Sequence, residues 1–299
     1  MDGTQQCFPY CIKCHNEKHS KQEKEVVTFI RSIYSGEIIE NSRQIIPPKE
    51  LDIYLPEFKL AIEYCGIAWH SSKFLNKNYH LDKLNLCKEK NIDLLQIWST
   101  EWLYQKDIIK SIIQARLKLN QTKIFARKCI IKELNILEYK KFLQDNHLQG
   151  YGLAKIKLGL FCNNELIKVL SFSKSRFNKN YEYELIRECN KLNYQIVGGK
   201  QKLLRYFENT YNPKSIISYC NKRLFNGNSY NHFQKKEDSP INYYYLIGHD
   251  KLTSRIEFQK HKLNKLKTFD KNLTEEQNME NNGFYRIYDC GNFVFTKKY

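Results

Sequence analysis

Residues 50 to 70, ELDIYLPEFKLAIEYCGIAWH, constrain this chain more than any other stretch. LDIYL and, past Pro56, KLAIEYCGI are apolar enough to be central strands of a covered sheet. Such strands would set Asp52 and Glu63 side by side, eleven residues apart in sequence. An unpaired Glu inside LAIEYCGI would be costly to bury. Shared between two carboxylates, a hard divalent cation removes that cost, and Mg²⁺ or Mn²⁺ suits oxygen ligands of this kind. A cation held there acidifies a bound water and neutralises charge growing on a phosphorane. The segment closes on Gly66 and Trp69-His70, and a histidine so placed can relay a proton, typically worth about 10² to 10⁴ in rate. Asp52, Glu63 and His70 thus fit metal-dependent phosphodiester hydrolysis. The plainer alternative makes Asp52 and Glu63 exposed polar positions and Trp69-His70 a rim pair.

Around this segment the chain reads as four parts. Residues 1–19 form a short Cys/His piece, 20–118 read helix, three strands, helix, strand, helix, 119–126 look like a linker, and 127–299 make a second mixed unit. The expected fold class is α/β (α+β): an αβββαβ core followed by a basic α+β domain. The first helix begins at Ser20, where Ser20-x-x-Glu23 is a capping box, and Glu23 also shares a stripe with Val27, Ile30 and Tyr34. Capping and a catalytic role both remain open for Glu23. Past residue 127, AKIKLGLFCNNELIKVLSFSK reads as a hairpin turning at Asn163-Asn164, YELIREC as a strand or short helix, KQKLLRYFENTY as a helix, SIISYC and NYYYLIG as strands, and GFYRIYDCGNFVFT as a closing strand-like run.

Charge separates the halves. Residues 1–120 hold 17 basic and 15 acidic side chains, whereas 121–299 hold 32 and 17, so nearly all of the +17 net charge lies in the second half. That asymmetry points to a polyanion, most simply double-stranded DNA, gripped by residues 127–299. A Lys-rich solvated surface is the bland alternative, against which stand 14% aromatic residues with 21 Tyr. The N-terminus lacks an apolar core of the signal-peptide kind, and no apolar run approaches the ~18 residues of a membrane span. An intracellular, soluble protein with reduced cysteines is expected. Cys7, Cys11, Cys14 and His19 have the types and close spacing of a structural Zn²⁺ knuckle, although no second, distant ligand pair accompanies them.

The ordered set S-x-x-E, P-x-E-L-D-I, I-E-Y-x-G-x-x-W-H, H-x-x-K and I-W-S-x-E-W resembles the nuclease domain of phage homing endonucleases related to very-short-patch-repair endonucleases, a branch of the PD-(D/E)xK restriction-endonuclease fold. The resemblance covers about residues 20–118. It implies a Mg²⁺-dependent DNA endonuclease, phage- or virus-encoded, that cuts or nicks duplex DNA as a monomer or homodimer. It implies Glu23, Asp52, His70 and His80 as the catalytic constellation, with Asp82 as an alternative to His80. The repair enzymes carry an apolar residue at the position of Glu63 and take a metal contact from the next residue, here the Tyr64 carbonyl, so Glu63 as a metal ligand rests on the reading of the residues themselves. Lys83, three residues after His80, is placed to reach a phosphate. Cys65 stands where the ordinary motif of that fold has its lysine.

Residues 127–299 resemble the region after the nuclease domain in the same enzymes through NHLQG, SFSKSRF, YELIREC, VGGKQKLLRYF and SIISYCNKRLFNG. That implies DNA recognition, with Lys174, Arg176, Arg187, Lys200, Lys202, Arg205, Lys222 and Arg223 as expected phosphate contacts. The same half is faintly similar to an N-acetyltransferase, with Gly198-Gly199-Lys200 as the pyrophosphate turn. A nuclease scaffold that binds DNA without cutting it is the other alternative.

Overall fold

Helix α1 (Lys21–Ile33) buries Val26 and Ile30, four residues apart on one stripe, against a four-stranded sheet. The computed structural model describes residues 21–248 and 250–299. Cys7, Cys11, Cys14 and His19 lie outside them. The sheet is built from β1 (Ile39–Ile46), β2 (Lys49–Leu55), β3 (Leu60–Cys65) and β4 (Asp93–Trp98), in that spatial order. The first three are antiparallel, and β4 joins β3 in parallel after the crossover helix α2 (Tyr79–Glu89). Every residue of β3 is buried. Ile62 and Tyr64 face α1, while Ala61 faces α2 beside Cys87. The helical stretch after β4 is broken into α3 (Ser99–Tyr104) and α4 (Lys106–Arg116), and Ile109 and Ile113 of α4 complete the α1 side of the core.

The expected linker contains a strand. Thr122–Phe125 forms β5 and pairs in parallel with β10 (Tyr194–Val197), a partner some seventy residues away. Four residues are too few to show a period, and the pairing depends on long-range contact. The second half then runs β6 (Ile130–Glu133), α5 (Ile136–Asn146), β7 (Ile156–Cys162), β8 (Glu165–Lys174) and β9 (Tyr183–Asn190). Asn135 caps α5 by accepting from the amides of Leu137 and Glu138. The β7–β8 turn falls at Asn163 and Asn164, both at positive φ as a type I′ hairpin requires. YELIREC is strand β9, and after β10 comes α6 (Gly199–Tyr211). A Cβ on Gly199 would lie 2.6 Å from Ile196 Cγ2, so α6 can start this close to β10 only with glycine.

Next come β11 (Ser215–Asn221), the two-residue β12 (Gln234–Lys235), β13 (Tyr243–Ile247), β14 (Lys251–Ser254), α7 (Glu275–Asn281), β15 (Tyr285–Tyr288) and β16 (Asn292–Lys298). The seven-stranded sheet has the order β12-β16-β11-β9-β8-β7-β6, antiparallel apart from the short parallel contact of β9 with β11. GFYRIYDCGNFVFT, expected as one strand-like run, breaks at Asp289–Gly291. Its first part joins β13 and β14 in a three-stranded sheet and its second joins the large one. Gly291 sits at φ 72° in that break.

The halves are packed together. Leu246 and Ile287 of the small sheet share a cluster with Cys65, Ile67 and Trp98, and Leu224 enters the core of the first sheet. Arg223, 2% exposed, donates to both oxygens of Glu101 and to the Gln96 carbonyl. The molecule is a mixed α/β protein with several sheets. None of its described helices is long and apolar enough to cross a membrane.

Candidate active site

The β2–β3 register that pairs Ile53 with Ile62 brings Asp52 beside Glu63. There each carboxylate takes a backbone amide of the other strand. The Asp52 amide donates to Glu63 Oε1 at 3.0 Å, and the Tyr64 amide donates to Asp52 Oδ2 at 2.8 Å. Glu63 is fully buried and Asp52 half-buried. Across from them, the α2 residue Lys83 is also buried and forms an ion pair with Glu63. Two carboxylates therefore share one ammonium.

That imbalance sets the electrostatics. Burial first, and then the charge of Asp52, push the Glu63 carboxyl up to about 8 against the pull of Lys83. Burial raises Asp52 as well, against Lys83 and the Tyr64 amide. Burial alone would lower the Lys83 ammonium, yet Glu63 and Asp52 hold it above its ordinary range. A divalent cation at these two carboxylates would supply the missing positive charge, so the donor set fits Mg²⁺ or Mn²⁺.

The histidines sit next to this cluster. Gly66 turns the chain by accepting from the amides of Trp69 and His70, and Ser72 exchanges hydrogen bonds with the Arg286 backbone on β15, which anchors the loop carrying His70. His70 stacks on His80 at 5.0 Å between ring centroids, and Tyr79 meets both edge-on. On β4, register-paired with Glu63, Gln96 lies 2.7 Å from His80 Nδ1 through Oε1, while its amide nitrogen donates to the His80 carbonyl. This arrangement puts the His80 proton on Nδ1 and leaves Nε2 bare. Burial, reinforced by neighbouring positive charge, lowers His70 to about 3; burial lowers His80 to about 4 even though the Gln96 bond opposes it. Both rings are neutral near pH 7.

Asp52, Glu63, His70 and His80 thus come together as four of the five expected catalytic residues. Glu23 stands apart from them on the first turn of α1, on the opposite face of the sheet, where with Glu25 it raises the Tyr64 phenol already raised by burial. Lys83, expected to reach a phosphate, is committed to Glu63 inside the core. The signal was its i+3 spacing from His80 on α2, which turns both side chains towards the sheet. Gln96 and Lys49 were missed. Lys49 donates to the Tyr79 carbonyl at 2.8 Å and lies 4.4 Å over the Tyr79 ring.

The expected phosphate contacts divide by burial. Arg223 is enclosed at the junction of the halves. Lys200 is buried, pairs with Glu188 at 2.7 Å and lies 3.3 Å over Tyr230. Lys222 pairs with Asp238, Arg187 donates to the carbonyls of Gly150 and Ile186, and Lys202 to those of Ala126 and Cys129. Arg223 and Lys200 thus serve carboxylates and packing in the core, in place of the surface role expected from sequence, whereas Arg187, Lys202 and Lys222 are part-buried and hold protein groups. Lys174, Arg176 and Arg205 are exposed. Arg205 lines an open groove with Phe125, Arg127, Gly198, Lys202 and Tyr206.

No protein-family model matches the chain, and no curated protein matches it. Among solved structures it is similar to the PaiA N-acetyltransferase from Thermoplasma acidophilum in complex with coenzyme A, at a TM-score of 0.26 and 13% identity, over 78% of this chain and 86% of that chain. A likeness that slight assigns neither fold nor activity.

Proposed function

We propose that this chain is a metal-dependent DNA endonuclease of the restriction-endonuclease-like kind, similar to the phage homing endonucleases its motifs resemble. The observation that carries the reading is the Asp52–Glu63 pair, joined to Lys83 and flanked by two neutral histidines, on an αβββαβ core. Asp52 and Glu63 would hold Mg²⁺ or Mn²⁺, which when bound supplies an acidified water and charge neutralisation at phosphate. Lys83 holds Glu63 in place and opposes the rise that burial and Asp52 impose on its carboxyl, and a bound cation would complete its ionisation. His70, uncharged, accepts a proton from water, and His80 holds the His70 ring by stacking while Gln96 fixes its own tautomer. The exposed Lys174, Arg176 and Arg205 and the groove around Arg127 carry the duplex by its phosphates. Incubating supercoiled plasmid with Mg²⁺ or with EDTA tests this. Metal-dependent nicks that vanish in Asp52→Ala are expected, and their absence from the unaltered protein would leave the silent DNA-binding alternative.

A second reading is favoured by one feature, the start of α6 at Gly198-Gly199 beside the basic groove. That groove could take the phosphates of coenzyme A in place of DNA. Calorimetric titration with acetyl-CoA decides between them, since the nuclease reading expects no heat of binding.

A further inference from the structure

Among the described residues, Cys65, His70 and His80 bring the thiol sulfur and one ring nitrogen from each histidine within 4.8 Å of one another. Two further features make this more than proximity. Nδ1 of His70 and Nε2 of His80 are buried without a hydrogen-bond partner, an uncommon state for ring nitrogens inside a protein. Gln96 meanwhile holds the other nitrogen of His80 in the tautomer that turns a lone pair inwards, as outer partners of metal-binding histidines do.

We propose that Cys65, His70 and His80 form a binding site for a borderline-soft divalent ion, Zn²⁺ by chemistry, separate from the hard-cation site at Asp52 and Glu63. One thiolate and two imidazoles select zinc over magnesium, whereas the carboxylate pair does the reverse. On binding, the Cys65 thiol proton leaves to solvent and sulfur joins the ion. The charge of a bound ion favours the thiolate over the thiol. Tetrahedral ligands at about 2.0–2.3 Å from an ion lie roughly 3.5 Å apart, so binding draws the three groups in by roughly 1 Å. Three protein ligands leave a fourth position for water. The inference goes beyond the nuclease reading and does not depend on it. Because the ion would take the lone pair with which His70 accepts a proton, excess zinc is expected to suppress Mg²⁺-dependent cleavage wherever cleavage occurs.

Cobalt is the probe. Full-length protein carrying Cys7→Ser, Cys11→Ser and Cys14→Ser, which removes the N-terminal cysteines from the count, is titrated with Co²⁺ and followed by absorption. One equivalent with a sulfur-to-cobalt charge-transfer band and intense visible bands is expected, displaced by Zn²⁺. Cys65→Ser should lose the charge-transfer band, and His70→Ala should weaken binding at least tenfold. His70 lies in a loop, so its variant keeps the test open if Cys65→Ser fails to fold. No charge-transfer band in the parent, or unchanged titration in His70→Ala, overturns the site.

Discussion

Glu63 on β3 and Lys83 on α2 form an ion pair whose side chains are 3% and 5% exposed. A buried pair of this kind contributes little beyond an apolar pair of equal volume, but breaking it is costly because one charge is left without a partner. Lys83→Met should lower stability by about 3–5 kcal/mol, and the double variant Lys83→Met/Glu63→Gln by clearly less. Urea denaturation of the single and double variants checks this. Simple additivity of the two substitutions would contradict it.

Asp52→Ala and His70→Ala separate chemistry from binding. The first should abolish metal-dependent cleavage and the second should slow it by about 10² to 10⁴. On the proposed function DNA affinity would rest on cations elsewhere, so it should stay within a few-fold in both. Cleavage assays and gel-shift titrations on one duplex report the two quantities side by side.

Three buried or half-buried histidines set the acid limb of the metal-free protein's stability. His70, His80 and His147 are lowered to about 3, 4 and 3 by burial, against an ordinary value of 6.5. Below pH 6.5 the unfolded chain binds more protons at these sites than the folded one, so stability should fall as pH drops through that window. Glu63 acts with the opposite sign. Its carboxyl is raised from 4.5 to about 8, so the folded state holds the extra proton, and its contribution should decline as pH rises from 4.5 to 8. Urea midpoints across this range should therefore pass through a maximum, and Glu63→Gln should flatten the alkaline side.

Arg223 and Arg205 should behave as opposites. Arg223 bonds Glu101 in the core, so Arg223→Ala should cost about 3–5 kcal/mol of stability while leaving the salt dependence of DNA binding of the folded protein unchanged. Exposed Arg205→Ala should leave stability within about 0.5 kcal/mol and reduce the slope of log affinity against log salt by about 0.9. A reduced slope for Arg223→Ala would return it to the DNA surface.

Local pattern made much of this protein legible. The apolar runs around Asp52 and Glu63, the Asn163-Asn164 turn and the helix after Gly199 are set by neighbours a few residues apart, where alternation, φ preference and capping act. Asp52 and Glu63 could be paired from sequence because one hairpin carries both. Tertiary structure decided what lies across longer loops. It set Lys83 on Glu63, Gln96 on His80, β5 on β10 and Arg223 on Glu101, and it put Glu23 on the far face of the sheet. Residue types show that a cation wants an anion, but only packing shows whether that anion is a phosphate in solvent or a carboxylate in the core, because burial forces each charge to take the partner that the fold brings within reach.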